Sequence, residues 1–264
     1  MASRISSEIS YYLASVYYKA KTFFIYRAQA WLWVVQSVLS LFFSLIAITV
    51  IYTVSSGVAG WSYWQLMFLI YLTALTFGVV EFVSNPMHIP YALRQGQIDS
   101  YMTRPFGVLT IMFANNIQVY ALVSSIGGSI AFLAYASLHL QLSLLLFAAF
   151  LPLYLLGVAA FVMFLQMLGV LSYKLMKSGS FIGAATNALT ELSEFPLSIY
   201  GSAAQLFFTL LVPIGVAAYY PLQVLLGNVT PAVYVAMLAL SAFFLYAFYW
   251  LFNRLMRSYE SGGG

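Results

Sequence analysis

The sequence predicts an all-α polytopic membrane protein: six transmembrane helices preceded by an amphipathic interfacial helix, with both termini cytoplasmic. Three observations carry this. First, 63% of the 264 residues are hydrophobic and 6% are charged, with mean hydropathy +0.94, whereas a soluble domain carries about a quarter charged residues. Second, charged side chains divide the chain into three uncharged runs, 28–80, 105–173 and 195–253. Each is too long for one crossing of about 20 residues and suits two. Third, all ten Lys and Arg residues fall on one side of the hairpins this implies. Arg4, Lys19, Lys21 and Arg27 precede the first span, Arg94 and Arg104 separate the second from the third, Lys174 and Lys177 follow the fourth, and Arg254 and Arg257 follow the sixth. Basic residues resist translocation, so that side is cytoplasmic.

Breakers set the corners at SSGVAG (55–60), SLHLQ (137–141) and YYPLQVLLGNVTP (219–231). The spans are expected at 31–54, 63–83, 107–135, 144–172, 197–218 and 232–252. Domain organisation is then an interfacial helix over 1–30, a six-span unit over 31–257 with a cytoplasmic loop at 84–106 and an apolar external segment at 213–231, and a flexible tail at 258–264. In the first segment Ile5, Ile9, Tyr12, Leu13, Val16, Ala20, Phe23 and Phe24 repeat at helical spacing. Glu8, Tyr11, Ser15, Lys19 and Thr22 line the other face. Such a helix lies in the membrane interface, as a plain anchor or as a part that moves with the rest. The stretch KSGSFIGAATNALTELSEFP (177–196) reads as a second helix on the cytoplasmic side, or as a span starting near Phe181 and broken at Pro196.

Several chemistries are excluded. There is no cysteine, so thiolate catalysis and Cys-ligated metals are out. No GxxxxGK[ST] phosphate loop is present, so ATP is not bound by that device. His88 and His139 lack metal-ligand spacing, which leaves no metal site. No expected span carries a basic partner for Ser129, so an activated serine is not built. TVGYG and a voltage-sensing arginine ladder are both missing. The excess of ten basic over six acidic groups, net charge +4, is spread thinly and gives no nucleic-acid footprint.

Polar groups inside the spans are candidates for a substrate pathway. Glu81 is the acidic residue within a span, near its cytoplasmic end; it either pairs with a nearby cation or contacts substrate or a proton. Asn115, Asn116 and Gln166, with Gln36 and Gln118, either bond between helices or line a path. Ser124 with Gly128, and Ser125 with Ser129, form small-xxx-small pairs suited to close packing. At the external side Pro213, Tyr219, Tyr220 and Pro221 break an apolar run that is expected to dip into the outer leaflet as short buried helices. Tyr219 and Tyr220 also fit an interfacial aromatic belt.

The loop NPMHIPYALRQGQIDSYMTRPFG (85–107) reads as a short helical elbow. Pro90 starts it, Gly96 ends its first helix, Asp99 caps the next turn, and Pro105 occupies the first turn of the third span. Its run LRQGQIDSYMTRP resembles the cytoplasmic loop of type-2 ABC exporter permeases, the ABC-2 family transporter proteins. EFPLSIYG (194–201) and LVPIGVAAYYPLQVLLG (211–227) resemble that group's Phe-Pro and external segments. The resemblance implies a permease subunit of an exporter in the cell membrane, paired with a second permease subunit, identical or related. ABC ATPase subunits carrying ATP and Mg would dock below, and this chain would hold no cofactor and have no enzymatic activity of its own. It further implies that Arg94, Gly96, Asp99, Arg104 and Pro105 lie at or beside the ATPase contact. The alternative is a substrate-binding membrane subunit of a vitamin-type importer.

Overall fold

The computed structural model describes residues 2–54, 57–58, 60–140, 142–176 and 180–258. Ser55, Ser56, Ala59, Gln141, Lys177 and the tail at 259–264, along with the side chains of Arg4 and Ser124, lie outside the described residues. Among the described residues the protein is helical and has no strand.

Helix α1 (Ala2–Ile25) runs into α2 (Arg27–Val54), the first long apolar helix. Next comes α3 (Tyr63–Ser84), which starts on a reciprocal cap: Ser62 Oγ accepts from the Gln65 N–H at 3.3 Å and Gln65 Oε1 accepts from the Ser62 N–H at 3.0 Å. These bonds satisfy amide groups that the first helical turn leaves without partners. Asn85 ends α3 and caps a 3₁₀ turn (Pro86–His88) by accepting from the Met87 N–H. The elbow follows as α4 (Ile89–Arg94) and α5 (Gln97–Met102). Gly96 between them has φ +65°, a left-handed conformation that favours glycine.

The run expected as the third span is not one helix. It divides into α6 (Val108–Asn115), an irregular stretch at 116–119, a π-helical turn (Leu122–Gly127) and α7 (Gly128–Ser137). Adjacent asparagines are poor helix interior residues, but the deciding factor is tertiary: backbone groups at the break find partners on other elements. Asn85 N–H donates to Asn116 O at 3.0 Å, Gln118 N–H to Glu81 O at 3.3 Å, and Lys19 Nζ to Asn115 O at 2.8 Å. Irregular backbone at membrane depth is tolerated only when protein supplies such bonds.

Helix α8 (Leu144–Met176) is the longest element and the axis of the molecule, with α12 (Pro231–Arg257) packed along it. Between them lie α9 (Ser180–Ser193), a 3₁₀ turn (Leu197–Tyr200), α10 (Gly201–Leu210), a π-helical turn (Gly215–Tyr219) and α11 (Tyr220–Leu225). The fifth expected span, 197–218, is likewise corrected. The segment Leu197–Leu210 is apolar, but the chain turns by 92° into Gly215–Leu225, because Pro213 cannot donate the hydrogen bond that would continue the helix. Among the described residues four helices are long and apolar enough to cross a membrane, those containing Trp31–Val54, Tyr63–Ser84, Leu144–Lys174 and Pro231–Arg257; the bent pair, counted as one span, makes a fifth. The second leg of that pair is seated on α8, where Gly157 lets the Val216 backbone approach: a Cβ on Gly157 would sit 2.7 Å from the Val216 carbonyl carbon.

The orientation of α1 is the reverse of a soluble amphipathic helix. Its polar face, with Glu8, Tyr11, Ser15 and Lys19, turns toward the protein, while Ile5, Ile9, Leu13 and Phe24 are exposed, Phe24 by 74%. An outward apolar face next to transmembrane helices is suited to lipid.

Candidate functional site: an elbow and a polar chamber

Two places gather the residues singled out by the sequence. The first is the elbow. Arg94, Gly96, Asp99, Arg104 and Pro105 all lie on it or in the bend leading to α6. Its inner face is apolar and anchored: Ile89, Leu93, Ile98 and Tyr101 are buried in one cluster with Met163 and Val170 of α8 and Phe252 and Met256 of α12. Gly169 of α8 allows the close approach, since a Cβ there would meet Ile89 Cδ1 at 3.0 Å and Pro86 O at 3.1 Å. The outer face leaves Arg94 and Arg104 exposed. The elbow is therefore anchored on α8 and α12.

Two details differ from the sequence reading. Asp99 is not the N-cap of α5: Gly96 holds that position, and Asp99 stands in the first turn, its N–H donating to Gly96 O at 3.1 Å. A carboxylate there still favours the positive end of the helix. Pro105 is not in the first turn of the next helix; α6 begins at Val108 with Gly107 as N-cap, because a cap is supplied from elsewhere. Glu8 of α1 reaches across, Oε1 accepting from the Gly107 N–H at 3.3 Å and Oε2 from the Thr110 hydroxyl at 2.7 Å.

Eleven residues further along α1, Lys19 donates to Asn115 O at the other end of α6. An acid at the N-terminus and a base at the C-terminus match the helix dipole, so α1 clamps α6 by both ends. Tyr11 stacks on Phe106 at 4.4 Å and accepts from Arg104 Nη1 at 3.3 Å, and Tyr12 donates to Val83 O at 3.1 Å. Burial raises the Tyr12 phenol to about 12, so it remains a donor. The sequence displayed this polar face but not what it was for.

The second place is a chamber of about 280 Å³ between α2, α3 and α9. Glu81 of α3 and Glu194, just beyond α9, both line it. Gln36, Ser40 and Ser44 face it from α2, and Thr186, Asn187 and Thr190 from α9. Glu81 is hydrogen bonded to the Tyr120 phenol, and Tyr120 stacks on Trp33 at 5.5 Å. A second cavity of about 550 Å³, holding Lys19 and His88, shares Trp33, Asn85, Met87 and Tyr120 as a wall. Burial, and then the neighbouring Glu191 carboxylate, push the Glu194 carboxyl above its ordinary range.

Of the sequence's pathway candidates the chamber takes in Glu81 and Gln36. Asn115 and Asn116 sit at the break, their backbone carbonyls bonded to Lys19 and Asn85. Gln166 is 0% exposed; its Nε2 donates to Ser84 O at 2.7 Å and its Oε1 accepts from Ser84 Oγ at 3.3 Å, tying α8 to α3. Glu194 was missed. The signal that would have found it is the spacing of Thr186, Thr190 and Glu194, four residues apart on one helix face. Pro213, Tyr219 and Pro221 are buried in the bent segment, Tyr219 close to Trp61 at 6.1 Å, and Tyr220 is partly buried.

The sequence model of one family, ABC-2 family transporter protein, matches residues 38–263. The chain belongs to that family. Comparisons of this ABC-2 protein with curated proteins and with solved structures returned no match. The matched range runs from inside α2 through the elbow, the chamber and the bent segment to the end of α12, leaving α1 outside it. The ABC-2 protein is a multi-pass membrane transport subunit of permease type.

Proposed function

We propose that this permease is the membrane half of an exporter, moving substrate by alternating access while separate ABC ATPase subunits bind ATP and Mg. One observation carries the reading: the elbow at 89–102 buries one face against α8 and α12 and leaves Arg94, and Arg104 in the bend after it, exposed, the construction needed to pass force from a soluble partner into a helix bundle. In this reading the chain crosses the cell membrane six times, with α6 and α7 together forming the third crossing and the bent pair the fifth. Both termini lie on the cytoplasmic side with the elbow, as the placement of Lys and Arg favours. A second permease subunit completes the path, and Pro213, Tyr219, Tyr220 and Pro221 close it externally.

The test is purification of the chain from its native membrane in mild detergent, with mass spectrometry of what accompanies it. A soluble phosphate-loop ATPase is the expected companion. Asp99→Ala and Arg104→Ala are expected to keep folded permease while ATP hydrolysis no longer drives transport. A chain that purifies alone, or with a tightly held small molecule, would replace the exporter with a substrate-binding importer subunit.

A further inference from the structure

The chamber between α2, α3 and α9 carries an inference about what it binds. Two helices each turn a polar stripe with four-residue spacing onto one space, Gln36, Ser40 and Ser44 from α2 and Thr186, Thr190 and Glu194 along α9 and its end, while α3 adds Thr73 and, two turns on, Glu81. In a chain with 6% charged residues, polar groups at membrane depth are costly unless they serve one another or a ligand. Among the described residues no Lys, Arg or His lines this space. The two carboxylates therefore face it without a lining cation.

The hydroxyls sharpen the chemistry. Thr73 spends its proton on Ser193 O at 3.0 Å, Thr186 on Ile182 O at 2.8 Å and Thr190 on Thr186 O at 2.9 Å. Each threonine oxygen is left with lone pairs to offer and no proton. The Tyr120 phenol is likewise engaged with Glu81. Beside the serine hydroxyls and the Gln36 and Asn187 amides, which donate as well as accept, the lining offers these acceptors and two carboxylates, and it bears the aromatic rings of Trp33, Phe77 and Tyr120. Negative charge, acceptors and ring faces together select a positively charged hydrogen-bond donor.

We infer that this chamber binds a protonated organic amine, its N–H groups directed to Glu81, Glu194 and the threonine oxygens and its apolar body against the aromatic wall. A quaternary ammonium offers charge and no N–H, so it binds more weakly than the primary amine of the same skeleton. That the amine represents the exported substrate class rests on the permease reading above; the binding itself does not.

The experiment is calorimetric titration of the purified full chain in lipid nanodiscs with phenethylamine and tryptamine, against their neutral counterparts 2-phenylethanol and tryptophol and the N-trimethylated forms. The expected result is saturable binding of the primary amines, at least tenfold weaker binding of the trimethylated forms, and none of the alcohols. Glu81→Gln and Glu194→Gln should each weaken amine binding at least tenfold, with monodispersity retained and melting no lower than wild type. Equal binding of amine and alcohol, no binding of either amine, or an undiminished Glu81→Gln, Glu194→Gln double variant would overturn the inference. The two proposals fail separately: amine binding without an ATPase companion removes the exporter and keeps the site, and an ATPase companion without amine binding does the opposite.

Discussion

Replacing Glu8 by Ala tests whether α1 is part of the transmembrane fold or merely attached to it. The N-cap of α6 is Gly107, which brings no side chain, so acceptors come from α1: Glu8 Oε1 at 3.3 Å from the Gly107 N and Oε2 at 2.7 Å from Thr110 Oγ1. Losing a helix cap costs about 0.5–2 kcal/mol, and a hydrogen bond to a charged group contributes about 1.5–3 kcal/mol. One of the two bonds is long and the site is partly open, so the lower ends apply and the loss is about 2 kcal/mol. For a chain of this size 1 kcal/mol moves the melting temperature by about 2–4 °C. Glu8→Ala should therefore melt about 4–8 °C lower, followed by tryptophan fluorescence in detergent micelles, and Glu8→Gln, which keeps an oxygen and loses the charge, about half as far. Combined with Thr110→Val, the double-mutant cycle should show coupling of about 1 kcal/mol. A Glu8→Ala protein that melts with the wild type, or strictly additive single effects, would refute the clamp.

Three further outcomes follow from the geometry. Gly157→Ala drives a Cβ into the Val216 backbone, 2.7 Å from its carbonyl carbon, where no side chain can yield; the variant should lose its monodisperse peak in size-exclusion chromatography, and normal elution would show that the bent segment does not sit on α8. His88 accepts at Nε2 from the Gln118 amide at 3.3 Å, and burial, then the Lys19 charge, lower its pKa from 6.5. The folded state thus binds this proton less readily than the unfolded chain, so stability is full above about pH 6.5 and declines as pH falls through that value; His88→Gln should flatten the melting temperature between pH 7.5 and 5.5. For Glu194 the sign is opposite. Its folded pKa lies above the ordinary 4.5, so ionisation is unfavourable to folding above that pH and without effect below it; Glu194→Gln should melt higher than wild type at pH 7.5 and level with it at pH 4. A substrate site held at a cost in stability behaves in this way.

The amino-acid sequence by itself determined that this chain lives in a membrane, where four of its long apolar helices run, and where its polar elbow falls, because lipid imposes the same demand on every residue of a span. Composition and breaker placement therefore read out α2, α3, α8 and α12 within a few residues, and the apolar segment after Pro213 was legible as buried because prolines interrupt it. The elbow was legible for a related reason: Pro90 and Gly96 act locally, through a fixed φ and a left-handed turn.

What only the tertiary structure decided depends on partners remote in sequence. The third run breaks at Asn116 since Glu81, Asn85 and Lys19 are there to take its backbone groups, and no local pattern announces a partner 96 residues away. Gln166 and Glu81 are both polar groups in apolar helices, yet one is consumed by Ser84 and the other opens on a chamber; their types are alike and their neighbours are not. Pro105 falls short of the first turn of α6, which starts at Val108 and takes its acceptors from Glu8, at the far end of the chain, while Gly96 rather than Asp99 holds the N-cap of α5. Hydrophobicity is a property each residue carries with it, whereas satisfaction of a hydrogen bond belongs to a pair, and the pair exists only once the chain has folded.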